Sequence, residues 1–196
     1  LEIIQVGKDP ASMTYVKEKM EACERLGFEA NLNKFPQDIE EEKIIEKIEE
    51  LNSNDEVNGI LVQLPLSDQI DNNHIFNTLS PEKDVDGLTP LNLGKTLRRG
   101  KKLLPCSVQA IVKIIENEEI DLKGKEVTVI NNSNLIGKPL SMVLTRKGGT
   151  VTLCHKDTED LGKHTRKADI VVTATGKSGL LGEEMVTENT FIIDAG

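Results

Sequence analysis

Short apolar runs ending at a glycine or a polar turn alternate with helix-length amphipathic segments along most of this chain, and that alternation leaves few folds open. Residues 1–7, 28–35 and 57–62 read as strands. Between them, residues 10–26 are expected to form a helix that starts after Asp9-Pro10 and stops at Gly27. A second, acidic helix is expected from Asp38, with Ile39, Ile44, Ile45 and Ile48 on its buried side. Strand, helix and strand in regular succession build βαβ units and a largely parallel sheet. In such sheets ligands sit beyond the carboxyl ends of the strands. The third strand runs directly into Gln63-Leu64-Pro65-Leu66, which places Gln63 at that rim.

The first helix has one anomalous residue. With Val16 at zero on a wheel of about 100° per residue, Met20, Cys23 and Met13 fall within about 60° of it and make an apolar stripe. Lys17, Glu18, Glu21, Glu24 and Arg25 occupy the far side. Lys19 does not join them: it sits at about −60°, at the edge of the stripe, next to Leu26 and Tyr15. A lysine at a core edge either snorkels, covering apolar surface with its stem, or is held there for chemistry by partial desolvation. The wheel alone favours the first.

Residues 67–106 are less regular. A helix over residues 70–79 is followed by the turn-rich Pro81-Glu82-Lys83-Asp84-Val85-Asp86-Gly87. Two carboxylates without histidine make a weak metal site; a structural turn, or a carboxylate gripping an amidine-like ligand edge, fits better. Ser107 is placed as the N-cap of a helix over residues 108–117, with the domain hinge here. Residues 126–130, 150–154, 169–173 and 190–194 then read as strands and residues 139–147 and 158–167 as helices, a Rossmann-type half. The expected division is therefore 1–107 and 108–196.

The turn after the strand at 126–130 is Asn131-Asn132-Ser133-Asn134-Leu135-Ile136-Gly137-Lys138-Pro139, with one glycine rather than G-x-G-x-x-G. Asn131 is expected in the left-handed conformation where glycine is usual. The helix N-terminus near Gly137 is expected to present N–H groups to a pyrophosphate. The next strand tip, Cys154-His155-Lys156-Asp157, mixes His155 and Lys156, which suit a 2′-phosphate, with Asp157, which suits ribose hydroxyls. An α/β domain without nucleotide remains open on this loop alone.

A net charge of −9 argues against broad nucleic-acid binding, and the basic Arg98-Arg99-Gly100-Lys101-Lys102 reads as a solvated turn. Cys23, Cys106 and Cys154 show no C-x-x-C spacing, so neither disulfides nor a zinc site are expected. No apolar run is long enough for a membrane helix.

Taken in order, Val6-Gly7-Lys8-Asp9-Pro10-Ala11-Ser12, Tyr15-Val16 with Lys19, Gly59-Ile60-Leu61-Val62-Gln63-Leu64-Pro65-Leu66, Lys83-Asp84-Val85-Asp86-Gly87, Asn92-Leu93-Gly94, Pro105-Cys106, Gly137-Lys138-Pro139-Leu140 and Cys154-His155 resemble the bifunctional methylenetetrahydrofolate dehydrogenase/methenyltetrahydrofolate cyclohydrolase family over the whole chain. The resemblance implies two α/β domains with a cleft between them, folate on the first, NADP or NAD on the second. It implies a cytoplasmic homodimer in one-carbon metabolism and purine biosynthesis, binding tetrahydrofolate derivatives and no metal. Such enzymes oxidise 5,10-methylenetetrahydrofolate to the methenyl form and hydrolyse that to 10-formyltetrahydrofolate. Carried over by motif, the catalytic set is Lys19 as general acid/base, Gln63 hydrogen-bonded to it, and Asp86 on the amino-pyrimidine edge of the pterin. Tyr15, Ser12, Leu64 and Pro65 join Asp86 around the folate. Asn131, Asn132, Ser133, Gly137, Lys138, Pro139, His155, Lys156, Thr175 and Gly176 meet the cofactor.

Three departures bear on this. Asn131-Asn132-Ser133 stands where the family usually has Gly-Arg-Ser, removing an arginine that commonly meets the NADP 2′-phosphate; Lys156 is the compensating charge. Ser107-Val108-Gln109-Ala110 replaces Thr-Pro-x-Gly after Pro105-Cys106. The family's first helix, and its helix returning to the first domain after the last strand, fall outside the residues 1–196. A non-catalytic or monofunctional folate- or nucleotide-binding member is the alternative these departures raise.

Overall fold

The computed structural model describes residues 1–98 and 104–196. Its contacts divide the chain into two units, Leu1–Asn92 and Leu93–Gly196. Except for Arg98, the basic cluster lies outside the described residues. No described helix is long and apolar enough to cross a membrane.

The first unit contains β1 (Glu2–Val6), α1 (Pro10–Leu26), β2 (Asn31–Phe35), α2 (Glu41–Ser53), β3 (Ile60–Val62) and α3 (Asn72–Thr78); the division between units falls within α4 (Pro90–Leu97). The sheet is parallel in the order β2-β1-β3. The chain moves outward from β1 to β2 and then crosses back past β1 to β3. The connections reverse direction at the carboxyl ends of β1 and β3, which is where a parallel sheet opens a crevice.

α1 begins as its sequence dictates. The Asp9 carboxylate accepts from Ser12 N at 2.7 Å, Pro10 fills the first turn, and Gly27 closes the helix at φ 75°. Val16 is fully buried in a cluster with Ile3 and Leu61, with Met20 partly buried against it. Met13, expected on the stripe, is 48% exposed, and Ser12 is buried in its place. On α2, Ile44, Ile48 and Leu51 are buried; Ile45 is half-buried and Ile39 precedes the helix. The ammonium group of Lys83 donates to the carbonyls of Leu51, Asn52 and Asn54 at 2.7–2.9 Å, so a cation from a distant segment caps the C-terminal end of α2.

The second unit contains α5 (Cys106–Asn117), β4 (Glu126–Ile130), α6 (Gly137–Arg146), β5 (Thr150–Cys154), α7 (Leu161–Thr165), β6 (Ile170–Thr173), a 3-10 turn at Glu183–Met185 and β7 (Phe191–Asp194). Its parallel sheet runs β5-β4-β6-β7, again reversing direction about its first strand, β4. Val108, Ile111 and Ile115 of α5, Leu140 and Leu144 of α6, and Val127, Val129, Ile170 and Val172 of the sheet make one core.

Ser107 is not the N-cap of α5. Pro105 takes that position with extended backbone (φ −49°, ψ 136°), its carbonyl accepts from Gln109 N at 3.0 Å, and Ser107 lies inside the first turn. Proline presets φ, and the helix starts at once behind it. The helix α4 lies in a stretch expected to be irregular.

Candidate active site

In the first unit the site is assembled at the carboxyl ends of β1 and β3. Lys19 is half-buried, and its Nζ donates to Gln63 Oε1 at 3.0 Å. Gln63 is held at both ends of its residue: its backbone N–H donates to Ile4 O at 2.9 Å, extending the β1–β3 ladder, and its Nε2 donates to Leu64 O at 2.7 Å. The Nε2 bond orients the carboxamide, because only the oxygen then remains to face the ammonium group. Ser12 Oγ donates to the same Leu64 carbonyl at 3.2 Å. Lys19, Gln63, Leu64 and Ser12 therefore form one continuous hydrogen-bonded chain between α1 and the end of β3. Tyr15, one turn before Lys19, is 57% exposed; Leu64 is half-buried and Pro65 exposed. The Ser12 amide that Asp9 accepts holds the Asp9 carboxyl below the usual carboxylate range.

Asp86 is half-buried, and its carboxylate makes no hydrogen bond or ion pair among the described residues. Its neighbour Asp84 is the opposite: 4% exposed, accepting from Gly87 N at 2.8 Å, Thr89 N at 2.9 Å and Asn92 Nδ2 at 2.8 Å. Ile60 N donates to Lys83 O at 2.6 Å, pinning the segment beside β3. The Asp84-Val85-Asp86 pair is thus a turn built around one carboxylate, with the other left available. No group of three or more His, Cys, Asp or Glu capable of holding a metal exists among the described residues. The role of Asp84 escaped the sequence reading. Its signal was an aspartate three residues before a glycine, Asp84-Val85-Asp86-Gly87, a spacing at which a carboxylate bonds its own turn.

In the second unit the residues expected at a dinucleotide gather on the carboxyl rim of β4, β5 and β6. Asn131 does not adopt positive φ; among the described non-glycine residues only Glu119 and Asp160 do. Its side chain does the work instead. Oδ1 accepts from Ser133 N (2.8 Å), Ser133 Oγ (2.7 Å) and Gly137 N (3.0 Å), and Nδ2 donates to Ala174 O at the end of β6 (2.5 Å). Lys138 N donates to Ser133 O at 3.1 Å, and Pro139 has no N–H. The expectation that α6 offers its first N–H groups to a pyrophosphate is therefore corrected: the loop has already satisfied them. Gly137 is required for packing, since a Cβ there would lie 1.7 Å from the Asn131 carbonyl oxygen. Gly137 and Pro139 are buried, whereas Asn132, Asn134 and Lys138 are exposed, with Lys138 Nζ on Asn134 Oδ1 at 2.9 Å.

At the tip of β5, His155 and Lys156 are exposed. His155 Nδ1 faces Asp157 N at 3.3 Å and the Asp157 carboxylate at 3.6 Å, and Thr158 Oγ1 accepts from His155 N at 2.9 Å. Beyond β6, Thr175 and Gly176 are exposed, and Gly176 takes φ 63°. This rim suits a dinucleotide by its donor set: the amides of Asn132, Asn134 and Leu135 meet no protein acceptor among the described residues, and the side chains of Lys138, in the first turn of α6, and Lys156, at the tip of β5, are exposed. Burial pushes the Cys154 thiol up.

Comparison with known proteins is consistent across sequence and structure. Residues 1–86 match the tetrahydrofolate dehydrogenase/cyclohydrolase catalytic domain and residues 105–196 its NAD(P)-binding domain. The bifunctional protein FolD of Bacillus licheniformis is 43% identical over 196 residues, covering 100% of this chain and 69% of the relative. A FolD crystal structure from Campylobacter jejuni superposes with a TM-score of 0.93 at 39% identity, covering 100% of this chain and 70% of that one. The Trypanosoma brucei enzyme, crystallised with NADP cofactor and inhibitor, gives 0.94 at 31% identity, covering 100% and 67%.

Proposed function

The chain belongs to the tetrahydrofolate dehydrogenase/cyclohydrolase family, and from that premise we propose which of its residues carry the two reactions. The protein oxidises 5,10-methylenetetrahydrofolate to 5,10-methenyltetrahydrofolate with NAD(P)+ and hydrolyses the product to 10-formyltetrahydrofolate. We assign the folate to residues 1–107 and the dinucleotide to residues 108–196.

The observation that carries the assignment is the Lys19–Gln63 hydrogen bond at the strand rim. Hydrolysis of the methenyl group adds water to the carbon between N5 and N10 with loss of a proton, and then breaks the bond to N5 as N5 gains a proton and the adduct's hydroxyl gives up its own to solvent, leaving the formyl C=O on N10. Lys19 is the group for both transfers: it takes the proton as the C–O bond forms and returns one to N5. Gln63 acts through Lys19 as a positioning residue, fixing the amine against the reacting carbon, while Ser12 and Leu64 hold Gln63 in turn. Asp86 offers a two-oxygen acceptor to the amino-pyrimidine edge of the pterin, and Tyr15 covers a ring face, with Pro65 beside it. The bound cofactor supplies the hydride acceptor for the oxidation. The protein's part in that step is to hold the folate carbon in position.

Lys19→Met tests the assignment. Methenyl hydrolysis is expected to fall at least about a hundredfold while NADP binding, measured by calorimetry, is retained. Unchanged hydrolysis refutes the role of Lys19.

The proposal favours NADP over NAD. Lys156, exposed at the tip of β5 with His155 adjacent, is the cation placed to meet a 2′-phosphate now that Asn132 replaces arginine. Lys156→Ala is expected to weaken NADP by about fivefold to tenfold and leave NAD unchanged; equal or better dehydrogenase rates with NAD in the unmodified protein overturn the preference. A homodimer working in the cytoplasm and feeding purine biosynthesis completes the proposal, its assembly measurable by light scattering. The non-catalytic alternative is not favoured, given relatives that are bifunctional at 41–43% identity along the whole chain.

A further inference from the structure

The Asn131 carboxamide is almost fully committed inside the protein. Oδ1 gathers Ser133 N, Ser133 Oγ and Gly137 N, and Nδ2 ties the turn to Ala174 O across the point where the sheet reverses direction. Two consequences follow for an anionic ligand. The first turn of α6 has no N–H left to give: Gly137 is bonded to Asn131, Lys138 to Ser133 O, Pro139 has none, and Leu140 bonds Ile136 O. The amides of Asn132, Asn134 and Leu135, on the turn that Asn131 and Ser133 hold in shape, meet no protein acceptor among the described residues.

We infer that Asn131 is a positioning residue for the dinucleotide: it sets the turn at 132–135 as the element that binds the pyrophosphate and withdraws the α6 N-terminus from that task. Neighbouring amides on a tight turn make a concave anion site without a helix end, and hydrogen bonds to charged oxygens there are strong. The inference rests on the cofactor assignment above. It separates two roles in the second unit. Pyrophosphate is common to both cofactors, so Asn131 governs affinity for either, whereas preference is set at the β5 tip by Lys156.

The test compares the unmodified chain with Asn131→Ala and Ser133→Ala. Dissociation constants for NADP and NAD are taken by calorimetry, together with the thermal midpoint and the rate of methenyl hydrolysis, which depends on Lys19 in the other unit. Asn131→Ala is expected to weaken both cofactors by the same factor, about tenfold or more, and to raise the dehydrogenase KM for each in step. Ser133→Ala removes only the hydroxyl links and is expected to weaken both by about threefold. It decides the matter alone if Asn131→Ala does not fold. A lowered midpoint with unchanged or tighter binding overturns the inference, and so does loss confined to NADP, which would make Asn131 a 2′-phosphate contact. An unmodified chain that hydrolyses the methenyl substrate but binds neither dinucleotide overturns the cofactor assignment and this inference with it. One that binds both but hydrolyses nothing overturns only the role of Lys19.

Discussion

Two aspartates one residue apart, Asp84 and Asp86, show how differently one side chain can be used. Asp84 is almost completely buried and accepts three hydrogen bonds, two from backbone amides and one from Asn92. Asp86 accepts none among the described residues and stays at the surface of the turn. The first fixes the backbone from which the second projects, so a ligand-gripping carboxylate is held without being consumed by the fold. Replacing Asp84 by alanine leaves the buried Gly87 and Thr89 amides without this acceptor and removes one of the Asn92 carboxamide's bonds, a cost of about 2–4 kcal/mol. Urea unfolding of Asp84→Ala is expected to show that loss, and Asp86→Ala to lie within about 0.5 kcal/mol of the parent. If the two variants are equally stable, the division of labour is wrong. A polar residue used in the same way is Ser12, which occupies the apolar stripe of α1 in place of Met13 because its hydroxyl finds Leu64 O.

Elements with strong local signals were legible in the sequence. α1 was readable to the residue because proline and glycine bracket it, and β4 and β5 because β-branched runs are bounded by turn residues. Elements whose limits depend on partners were not. α4 was missed: eight residues give little more than two turns, and its Asn92 serves Asp84 rather than a helical pattern. α7 is five residues long where ten were expected, because Asp160 takes a left-handed backbone and its carboxylate caps Lys163 N, starting the helix late. At the site, the wheel placed Lys19 at the edge of the apolar stripe but favoured a snorkelling side chain, and its catalytic role came with the family resemblance, because its partner Gln63 stands 44 residues away. The role of Asn131 was not legible. A sequence shows that asparagine tolerates positive φ, but here the side chain takes over the ordering of the loop, and the partners that make this possible, Gly137 and Ala174, stand 6 and 43 residues away. The capping of α2 by Lys83 is hidden in the same way, being a contact across about thirty residues between a helix end and a turn.

At the scale of the whole molecule, several carboxylates join segments distant in sequence, and their titration links the fold to pH. Glu41, at the start of α2, accepts from Asp71 N at 2.6 Å and faces His74 Nδ1 at 2.6 Å, so the amide of Asp71 first and His74 second hold its carboxyl below the ordinary value. Asp169, at the start of β6, accepts from Glu126 N at 2.9 Å at the start of β4, and that amide, with Lys125 behind it, lowers its pKa. Glu116 at the end of α5 is lowered by Lys147 beyond α6, and Asp9 by the Ser12 amide. A carboxyl whose folded pKa is depressed stabilises the fold fully above its unfolded value and loses that contribution as pH falls through the folded one. Cys154 runs the other way: burial raises its pKa, so its contribution is intact below the unfolded value near 9.0 and is lost as pH rises towards the folded value. The urea midpoint is therefore expected to be level between about pH 5.5 and pH 8.5, to fall below about pH 4.5, and to fall again above about pH 9. Cys154→Ala removes only the alkaline limb, since all four carboxylates remain, whereas Asp169→Asn reduces the acid dependence while keeping a side chain able to accept from Glu126 N. A midpoint that keeps its full alkaline fall in Cys154→Ala assigns that limb to other groups, and one whose acid limb is unaltered in Asp169→Asn removes the β4–β6 link from the account.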